Sequence, residues 1–231
     1  MPISIVLPVY NEVKSLSHVL LAWSQYLIKK KIRHEFVICE DGSTDGTKKL
    51  ISKLKKKYPI SDQSVKNRRG YGRGVISGII SSKYNYILCI DSDGQCMPDS
   101  FSEFYKKKHL ADILIGNRSP RNDPIIRIIY SKLFKIVHDY LFETEIKDPS
   151  CPYVFAKKKN YLKLLNKLEY LKEGFWWGFI ASAKMLGLKI FQIDIIHYKR
   201  YDGSTAVYKL AKMPKIIITN IIGLIRLKKS F

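Results

Sequence analysis

Short apolar runs alternate with longer amphipathic segments through the first half of the chain. The runs have the length and composition of buried strands, and the longer segments repeat apolar residues at helical spacing. Strands are predicted at Ile3–Val9, Phe36–Cys39, Ser64–Val65 (a weak signal), Tyr86–Ile90 and Asp112–Ile115. Helices are predicted between them at Val13–Lys31, Thr44–Tyr58, Val75–Ser82 and Pro98–His109. This alternation indicates βαβ units and a largely parallel sheet.

The second half of the chain departs from this alternation. Ile125–Phe142 is strongly amphipathic, with apolar residues along one side, and Lys209–Leu227 is again apolar and basic. Further strands are predicted at Tyr153–Ala156 and Lys189–His197, separated by a helix near Phe175–Leu186. Because no repeat and no low-complexity linker interrupts the pattern, we expect a single domain.

The composition is that of a globular protein with an unusual excess of basic residues. The 231 residues are 46% hydrophobic and 26% charged, and 41 Lys and Arg face 20 Asp and Glu, a formal net charge of +21. Such a surface attracts nucleic acid, anionic lipid or phosphate-bearing substrates. No basic leader precedes the first strand, and no stretch reaches the roughly 18 apolar residues of a membrane span. The four cysteines form no Cys-x-x-Cys pair, so we expect a cytoplasmic protein without structural zinc.

Two carboxylates, Asp91 and Asp93, directly follow the predicted strand Tyr86–Ile90. The carboxyl ends of parallel strands form one edge of a sheet, and ligands bind there in open α/β folds. Hard oxygen ligands at that position suit Mg²⁺ or Mn²⁺ carrying a phosphorylated substrate. A polar turn after a strand would explain the same residues without a metal site. The choice between these two interpretations depends on the rest of the chain.

Further motifs at strand ends resemble, in order and spacing, those of the family 2 glycosyltransferases, which are inverting, nucleotide-sugar-dependent enzymes of the GT-A fold. The resemblance covers about residues 3–210 and is carried by Leu7–Glu12, Glu40–Thr47, Asn67–Gly74, Asp91–Gln95, Gly116–Arg118 and His197–Thr205. It implies one α/β GT-A (Rossmann-like) domain over residues 1–210, with a mixed, mostly parallel central sheet flanked by helices. The nucleotide-binding half would cover about 1–118 and the acceptor half about 119–210. Residues 211–231 would form a basic amphipathic C-terminal helix.

The resemblance assigns the nucleotide pocket to the first motifs. Tyr10 would stack on the base, Glu12 would accept a ribose hydroxyl, and Asp41 would accept a hydrogen bond from the N–H of uracil or guanine. UDP or GDP is therefore the implied carrier. The other nucleotide-binding candidates are Pro8, Asp91 and Ser92.

The same resemblance assigns a divalent cation, Mg²⁺ or Mn²⁺, to the acidic motif. Asp93 is the expected direct ligand of the metal. Asp91 would lie near the ribose or would bind the metal indirectly, through the ribose. In lipid-linked mannosyl transferases of the family, the residue matching Gln95 also reaches the metal. The cation would neutralise the diphosphate as it leaves.

Three further residues are implied to hold phosphate groups. Arg118, at a strand end, is suited to a fork-like grip on phosphate oxygens. In relatives the loop matching His197–Thr205 closes over the diphosphate, so Arg200 would pair with the β-phosphate and Ser204 would assist. Asp93 and Arg200, together with Asp148, are the catalytic candidates.

The acceptor decides whether a general base is needed. A sugar hydroxyl needs one, and Asp148 is the candidate, although an Asp before Pro149 also simply starts turns. A lipid monophosphate is already ionised near neutral pH and needs cations to hold it instead. Arg127 and Ser131 occupy places that resemble the lipid-phosphate site of dolichyl-phosphate mannose synthases.

The sequence therefore predicts a peripheral membrane enzyme that transfers a hexose from a UDP- or GDP-linked sugar to a polyprenyl phosphate. The two amphipathic helices would lie at the surface of a membrane containing anionic lipids, or would pack on the core or on a second subunit of a homo-oligomer. Alternatives are a cytoplasmic glycosyltransferase acting on a glycan hydroxyl, a nucleotidyltransferase and a nucleic-acid-binding protein. Nucleic acid is not the expected partner, because the lysines lie on helix surfaces while acidic motifs occupy the sheet edge.

Overall fold

One mixed β-sheet forms the centre of the protein in the computed structural model, which describes residues 1–165, 168, 174–201 and 213–231. Within these residues, seven strands pair in the order β3-β2-β1-β4-β6-β5-β7. The strands are β1 (Ile3–Val9), β2 (His34–Glu40), β3 (Ile60–Asp62), β4 (Tyr86–Cys89), β5 (Ile113–Arg118), β6 (Val154–Lys157) and β7 (Ile190–Ile195). The predicted α/β class with a mixed, mostly parallel sheet is confirmed.

The direction of the strands explains where the polar motifs meet. β1 pairs in parallel with β2 and β4, and β5 pairs in parallel with β7. β6 is inserted between β4 and β5 and runs antiparallel to both. The carboxyl ends of β1, β2, β4 and β5 therefore share one edge of the sheet with the amino end of β6.

The helices cover the two faces of this sheet. They are α1 (Leu16–Lys29), α2 (Thr47–Leu54), α3 (Tyr71–Ser81), α4 (Phe101–Lys107), α5 (Ile125–Phe142), α6 (Lys158–Leu165), α7 (Phe175–Met185) and α8 (Met213–Lys229), with a short 3₁₀ turn at Pro98–Ser100. The main core lies between the apolar strands and these helices, and Trp23 of α1 is one of its fully buried side chains.

Helix α3 lies unusually close to the sheet because of one glycine. A Cβ atom added to Gly78 would stand 2.5 Å from Val6 Cγ1 and 2.6 Å from Cys39 Sγ. Since real Cβ atoms do not approach so closely, only glycine permits this contact. The close packing fixes the first turn of α3 at the edge of the sheet where the polar motifs meet.

A second, smaller core joins α5, α7 and α8. Its buried members are Phe134, Phe142, Ala181, Leu224 and Leu227. The opposite sides of α5 and α8 leave a row of large apolar side chains exposed: Ile125, Ile129, Leu133, Ile136 and Tyr140 on α5, and Ile218, Ile222 and Ile225 on α8. Each helix is therefore apolar on two sides. Nowhere in the described part of the chain does a helix combine the length and apolar character needed to cross a bilayer.

Two parts of the predicted pattern differ from the structure. The third strand is Ile60–Asp62 and not Ser64–Val65, because Val65 makes only an isolated bridge to Asp41. Helix α6 was not predicted, because lysines interrupt its apolar positions; Tyr161 and Leu164 nevertheless face the core.

Candidate active site

A cleft at the shared edge of the sheet brings together most of the predicted site residues. Its lining includes Pro8, Tyr10, Glu12, Asp41, Asp91, Ser92, Asp93, Gln95, Arg118, Arg127, Ser131 and Arg200. Asp148 stands behind this lining as the partner of Arg118. Ser204 lies outside the described residues.

The acidic motif after β4 is held in place by neighbouring strands and helices. The Ser92 hydroxyl donates to the Pro8 carbonyl over 2.8 Å and so ties the end of β4 to the end of β1. Asp93 Oδ1 accepts the backbone N–H of Gln95 at 3.0 Å, which closes the turn. Asp91 Oδ1 accepts the Tyr71 hydroxyl at 2.8 Å. These bonds aim both carboxylates at the cleft.

The electrostatics of this pair suit a cation. Burial and the charge of Asp93 raise the pKa of Asp91 to about 6, and burial also raises the pKa of Asp93. Two carboxylates that repel each other away from water gain most from a divalent ion between them. The side-chain nitrogen of Gln95 donates to the Tyr198 carbonyl at 3.2 Å, a bond that does not use the Gln95 side-chain oxygen. Asp91, Asp93 and Gln95 are thus a hard-oxygen donor set that fits Mg²⁺ or Mn²⁺.

Arg200 occupies the space between the first motif and the acidic motif. It forms an ion pair with Glu12, and its Nη1 lies 3.4 Å from Asp93 Oδ2. Glu12 also accepts the Ser15 hydroxyl at 2.5 Å. Burial raises the pKa of Glu12 to about 7, although Ser15 and Arg200 oppose the shift. Residues expected to touch ribose and phosphate are therefore paired with each other in the structure.

The glycine-rich segment Asn67–Gly74 closes the part of the cleft that contains Asp41. Asp41 accepts the backbone N–H groups of Arg69 at 2.7 Å and Gly70 at 2.8 Å. The Arg68 guanidinium lies 4.1 Å from the centre of the Tyr10 ring, where the family resemblance implies a base. Each carboxylate oxygen keeps a second lone pair, so Asp41 can accept one more donor.

Three arginines and two aspartates form a cluster of ion pairs in the cleft. Arg118 donates from Nε and Nη2 to Asp148 over 2.6 and 2.8 Å. Asp123 accepts from Arg121 at 2.6 Å and from Arg127 at 2.8 Å. Because three guanidinium groups face two carboxylates, the cluster keeps a positive excess.

Asp148 is the most strongly stabilised carboxylate of this cluster. Burial opposes its ionisation, but the charge and hydrogen bonds of Arg118 prevail and lower the pKa of Asp148 to about 2. Ser150 adds a further hydrogen bond at 2.8 Å. A carboxylate held this way is a weak base, and its geometry is that of a partner that orients Arg118.

Beside the arginines, the wall of the cleft becomes apolar. Phe134 of α5, Trp177 of α7, and Ile216 and Ile217 of α8 contribute to it. The ring centres of Phe134 and Trp177 are 4.7 Å apart in an edge-to-face contact. The cleft thus combines a pair of carboxylates, a cationic cluster and an apolar wall formed by α5, α7 and α8.

Several residues of the cleft are not among the site residues predicted from the sequence. They include Tyr71, Arg121, Trp176 and His197. A signal existed for Arg121, since it stands between Arg118 and Arg127 in a polar loop with two prolines. Tyr71 and Trp176 meet only through tertiary packing, and the motif assigned to residues 197–205 gave no separate weight to the His197 ring.

Comparison with known proteins agrees with this arrangement. The sequence model described as "Glycosyl transferase family 2" matches residues 4–184. The chain belongs to glycosyl transferase family 2. It is therefore a glycosyltransferase, and the match covers every strand up to β6 and the helices as far as α7.

Relatives of this family 2 member differ in what they act on. A dolichyl-phosphate beta-glucosyltransferase of Dictyostelium discoideum is 27% identical over 222 residues, covering 87% of this chain and 68% of that protein. A protein of the same description from Trichomonas vaginalis is 27% identical over 223 residues, covering 87% and 67%. A poly-beta-1,6-N-acetyl-D-glucosamine synthase of Staphylococcus aureus is 30% identical over 123 residues, covering 52% of this chain and 29% of that protein.

Solved structures support the GT-A fold of this family 2 chain. Glucosyl-3-phosphoglycerate synthase from Mycobacterium tuberculosis, crystallised with Mn²⁺, UDP-glucose and phosphoglyceric acid, has a TM-score of 0.73 at 18% identity, covering 98% of this chain and 79% of that one. Mannosyl-3-phosphoglycerate synthase from Rubrobacter xylanophilus also has a TM-score of 0.73, at 13% identity, covering 100% and 75%.

Proposed function

We propose that this glycosyltransferase moves a hexose from a UDP- or GDP-linked sugar to a polyprenyl phosphate at a membrane surface. The observation that carries the proposal is that one cleft combines three kinds of lining: carboxylates, arginines and an apolar wall. A nucleotide diphosphate with its cation matches the first part. An ionised phosphate on a hydrocarbon chain matches the other two.

The donor half would bind the nucleotide through residues of the first two motifs. Asp41 would accept the N–H that uracil and guanine both carry, and Tyr10 would stack on the base once Arg68 moves from its ring. Pro8 and Ser92 would keep β1 and β4 together beneath the nucleotide. UDP and GDP satisfy these contacts equally well.

Asp91, Asp93 and Gln95 would hold the divalent ion beside the diphosphate. When bound, the ion would stabilise the negative charge that develops on the departing diphosphate. Arg200 would leave Glu12 and Asp93 and pair with the β-phosphate, with Ser204 assisting. Glu12 would then be released to accept a ribose hydroxyl, as its family position implies.

The acceptor half would bind a phosphate group. Arg118, Arg121 and Arg127 line the cleft together, and Ser131 accepts from Arg121 at 2.9 Å. Among the described residues of this cluster, both carboxylates already pair with arginine, so neither is placed to deprotonate a hydroxyl. A phosphate oxygen is ionised at neutral pH and attacks the anomeric carbon without a base. This favours a phosphate acceptor over a glycan hydroxyl. A glycan hydroxyl would need Asp148 as its general base.

The apolar wall and the outer faces of α5 and α8 would receive the lipid chain and the membrane. Tyr130, Ser131 and Phe134 of α5 and Ile216, Ile217 and Asn220 of α8 line the cleft, while isoleucines on their other sides are exposed. Basic residues at the end of α8 would add attraction to anionic lipid. Two relatives named as dolichyl-phosphate glucosyltransferases support this reading.

A thermal-shift screen with UDP-glucose, UDP-N-acetylglucosamine and GDP-mannose, each with and without Mn²⁺, tests the donor. We expect one nucleotide sugar to raise the melting temperature, with a larger shift when Mn²⁺ is present. Asp93→Ala should remove the part of the shift that depends on Mn²⁺, whereas Glu103→Gln, at an exposed position on α4, should leave it unchanged.

Transfer assays with the donor so identified test the acceptor. We expect sugar to appear on polyprenyl phosphate in detergent or vesicles. Transfer to a soluble glycan instead, with polyprenyl phosphate ignored, would contradict the proposal and favour the glycan-synthesis activity named for the Staphylococcus aureus relative.

A further inference from the structure

The hydroxyl of Tyr71 lies between an acidic residue of the proposed cation site and a tryptophan of α7. Trp176 Nε1 is 2.8 Å from the Tyr71 oxygen, and that oxygen is 2.8 Å from Asp91 Oδ1. An indole N–H can only donate a hydrogen bond, so the Tyr71 oxygen accepts that bond. The Tyr71 O–H therefore donates its own hydrogen bond to Asp91. The direction of both hydrogen bonds is therefore determined.

The position of Tyr71 is fixed from both ends. It is the first residue of α3 and follows Gly70, whose φ of 101° favours glycine and whose N–H is bound by Asp41. One residue further on, a Cβ added to Gly72 would stand 3.1 Å from Phe175 Cδ2, so α3 begins directly against the start of α7. The backbone at Tyr71 is therefore held by contacts on both of its sides.

Among the described residues, Tyr71 is the side chain that hydrogen bonds to Asp91. The carboxylate of Asp93 repels Asp91 and supplies no donor, and Arg200 forms ion pairs with Glu12 and Asp93. The orientation of Asp91 therefore depends on Tyr71, and that of the Tyr71 hydroxyl on Trp176.

We propose that Tyr71 and Trp176 are positioning residues that hold Asp91 in the orientation a bound divalent cation requires. The inference rests on the proposed function, because it takes Asp91 to face that cation. Partners of metal ligands orient the ligating oxygen and tune its strength. Trp176 is next in sequence to Trp177, which contributes to the apolar wall of the cleft. Tyr71 and Trp176 therefore also connect that wall to the proposed cation site.

Mn²⁺ binding measured by electron paramagnetic resonance in the presence of UDP or GDP tests this inference. Tyr71→Phe keeps the ring and removes the hydroxyl, so we expect the Mn²⁺ affinity to fall about tenfold or more, as is usual when such a partner is lost. Binding of the nucleotide without metal should be unchanged. Trp176→Phe should weaken Mn²⁺ binding less, since the bond from Tyr71 to Asp91 remains.

Tyr153→Phe is the matched control for loss of a buried hydroxyl. The Tyr153 hydroxyl has no hydrogen-bond partner within the part of the chain that the structure describes, and Tyr153 lies in the core. We expect Tyr153→Phe to bind Mn²⁺ like the wild type. If Tyr71→Phe also binds like the wild type, the inference is wrong while the proposed function stands. If wild-type protein binds no Mn²⁺ with either nucleotide, the metal assignment fails, and the inference fails with it.

Discussion

Arg118 and Asp148 form a two-bond ion pair whose side chains are only 5% and 8% exposed. Taking two charges out of water is costly, and only good geometry and further hydrogen bonds recover that cost. Here both contacts are short and Ser150 donates to Asp148 as well. The ion pair holds Arg118 beside the cleft, and the Nε and Nη2 groups of its guanidinium are already hydrogen bonded to Asp148.

Asp148→Asn tests whether this carboxylate is structural or a general base. We expect the free energy of unfolding to fall by about 3–5 kcal/mol, because the buried Arg118 loses its nearest counter-charge. Urea unfolding at neutral pH measures the loss. Ser150→Ala, which removes one hydrogen bond of the same cluster, should cost about 1 kcal/mol. Unchanged stability with a collapse of kcat would instead identify Asp148 as the base for a hydroxyl acceptor.

His197 introduces a pH dependence at the same end of the cleft. Its Nδ1 accepts the backbone N–H of Asn122 at 3.0 Å, which requires a neutral ring. Burial, followed by the charge of Arg118, lowers the pKa of His197 to about 4. The loop that carries Arg121 and Asp123 is therefore held by the neutral ring of His197, whose low pKa disfavours protonation.

Stability should accordingly decline on acidification. The folded-state pKa lies below the ordinary value of about 6.5, so the unfolded chain binds more protons in this range and is favoured as the pH falls from about 6.5 toward 4. We expect His197 to account for about 2 kcal/mol of the decrease in unfolding free energy between pH 7 and pH 5. Urea unfolding of His197→Asn should show a pH dependence smaller by that amount. The exposed His109→Gln is the control, and an equal effect of both variants would refute the assignment.

The sequence predicts many residues of the cleft but not the partners of their side chains. Pro8, Tyr10, Glu12, Asp41, Asp91 and Asp93 line the cleft because they follow strands whose direction the alternating pattern predicts. The ion pair of Arg200 with Glu12 joins residues 188 positions apart, and no local pattern encodes it. The same holds for Trp176 and Tyr71, which are 105 positions apart.

Helices α5 and α8 carry apolar residues on more than one side. α5 was predicted with its observed bounds because its apolar repeat is strong and Pro124 immediately precedes it. One side packs in the smaller core, while Ile136 and Tyr140 on the other are 67% and 84% exposed. An exposed apolar row of this length is unusual on a monomer and typical of an interaction surface.

Replacing exposed isoleucines of this row tests the proposed membrane contact. We expect Ile129→Asp and Ile136→Asp each to lower binding to vesicles with anionic lipid about tenfold, because apolar burial is lost and a repelled charge is added. Vesicle co-sedimentation measures the binding. Ile28→Asp, at an equally exposed position on α1, should have little effect. A wild-type protein that ignores vesicles but forms a dimer, broken by the α5 variants, would assign the row to a second subunit.

Elements with weak patterns were the ones that sequence reasoning misplaced. β3 is only three residues long and half-buried, so its apolar signal hardly rises above the surrounding loop. Lysines mask the pattern of α6, as they would on a surface helix, although its other side covers the core. Long, periodic elements could be predicted, whereas short or lysine-rich ones depend on packing that only the folded chain supplies.

At the scale of the whole molecule, charge is distributed unevenly about the cleft. The formal charge of +21 surrounds a cleft end that concentrates four carboxylates, Glu12, Asp41, Asp91 and Asp93. A positive surface attracts anionic molecules, while these carboxylates give one end of the cleft a local negative charge. The overall charge therefore favours attraction to anionic surfaces without specifying nucleic acid.

The antiparallel insertion of β6 has a consequence for how the protein can change. Because this strand reverses direction, the chain arrives at the reactive edge just before Val154 and departs at the far edge after Lys157. Had it run with its neighbours, Asp148 and Ser150 would lie at the far edge, and Arg118 would have no counter-charge from this segment. Replacing the turn before β6 should therefore change the surroundings of Arg118 while β1, β2 and β4 keep their arrangement.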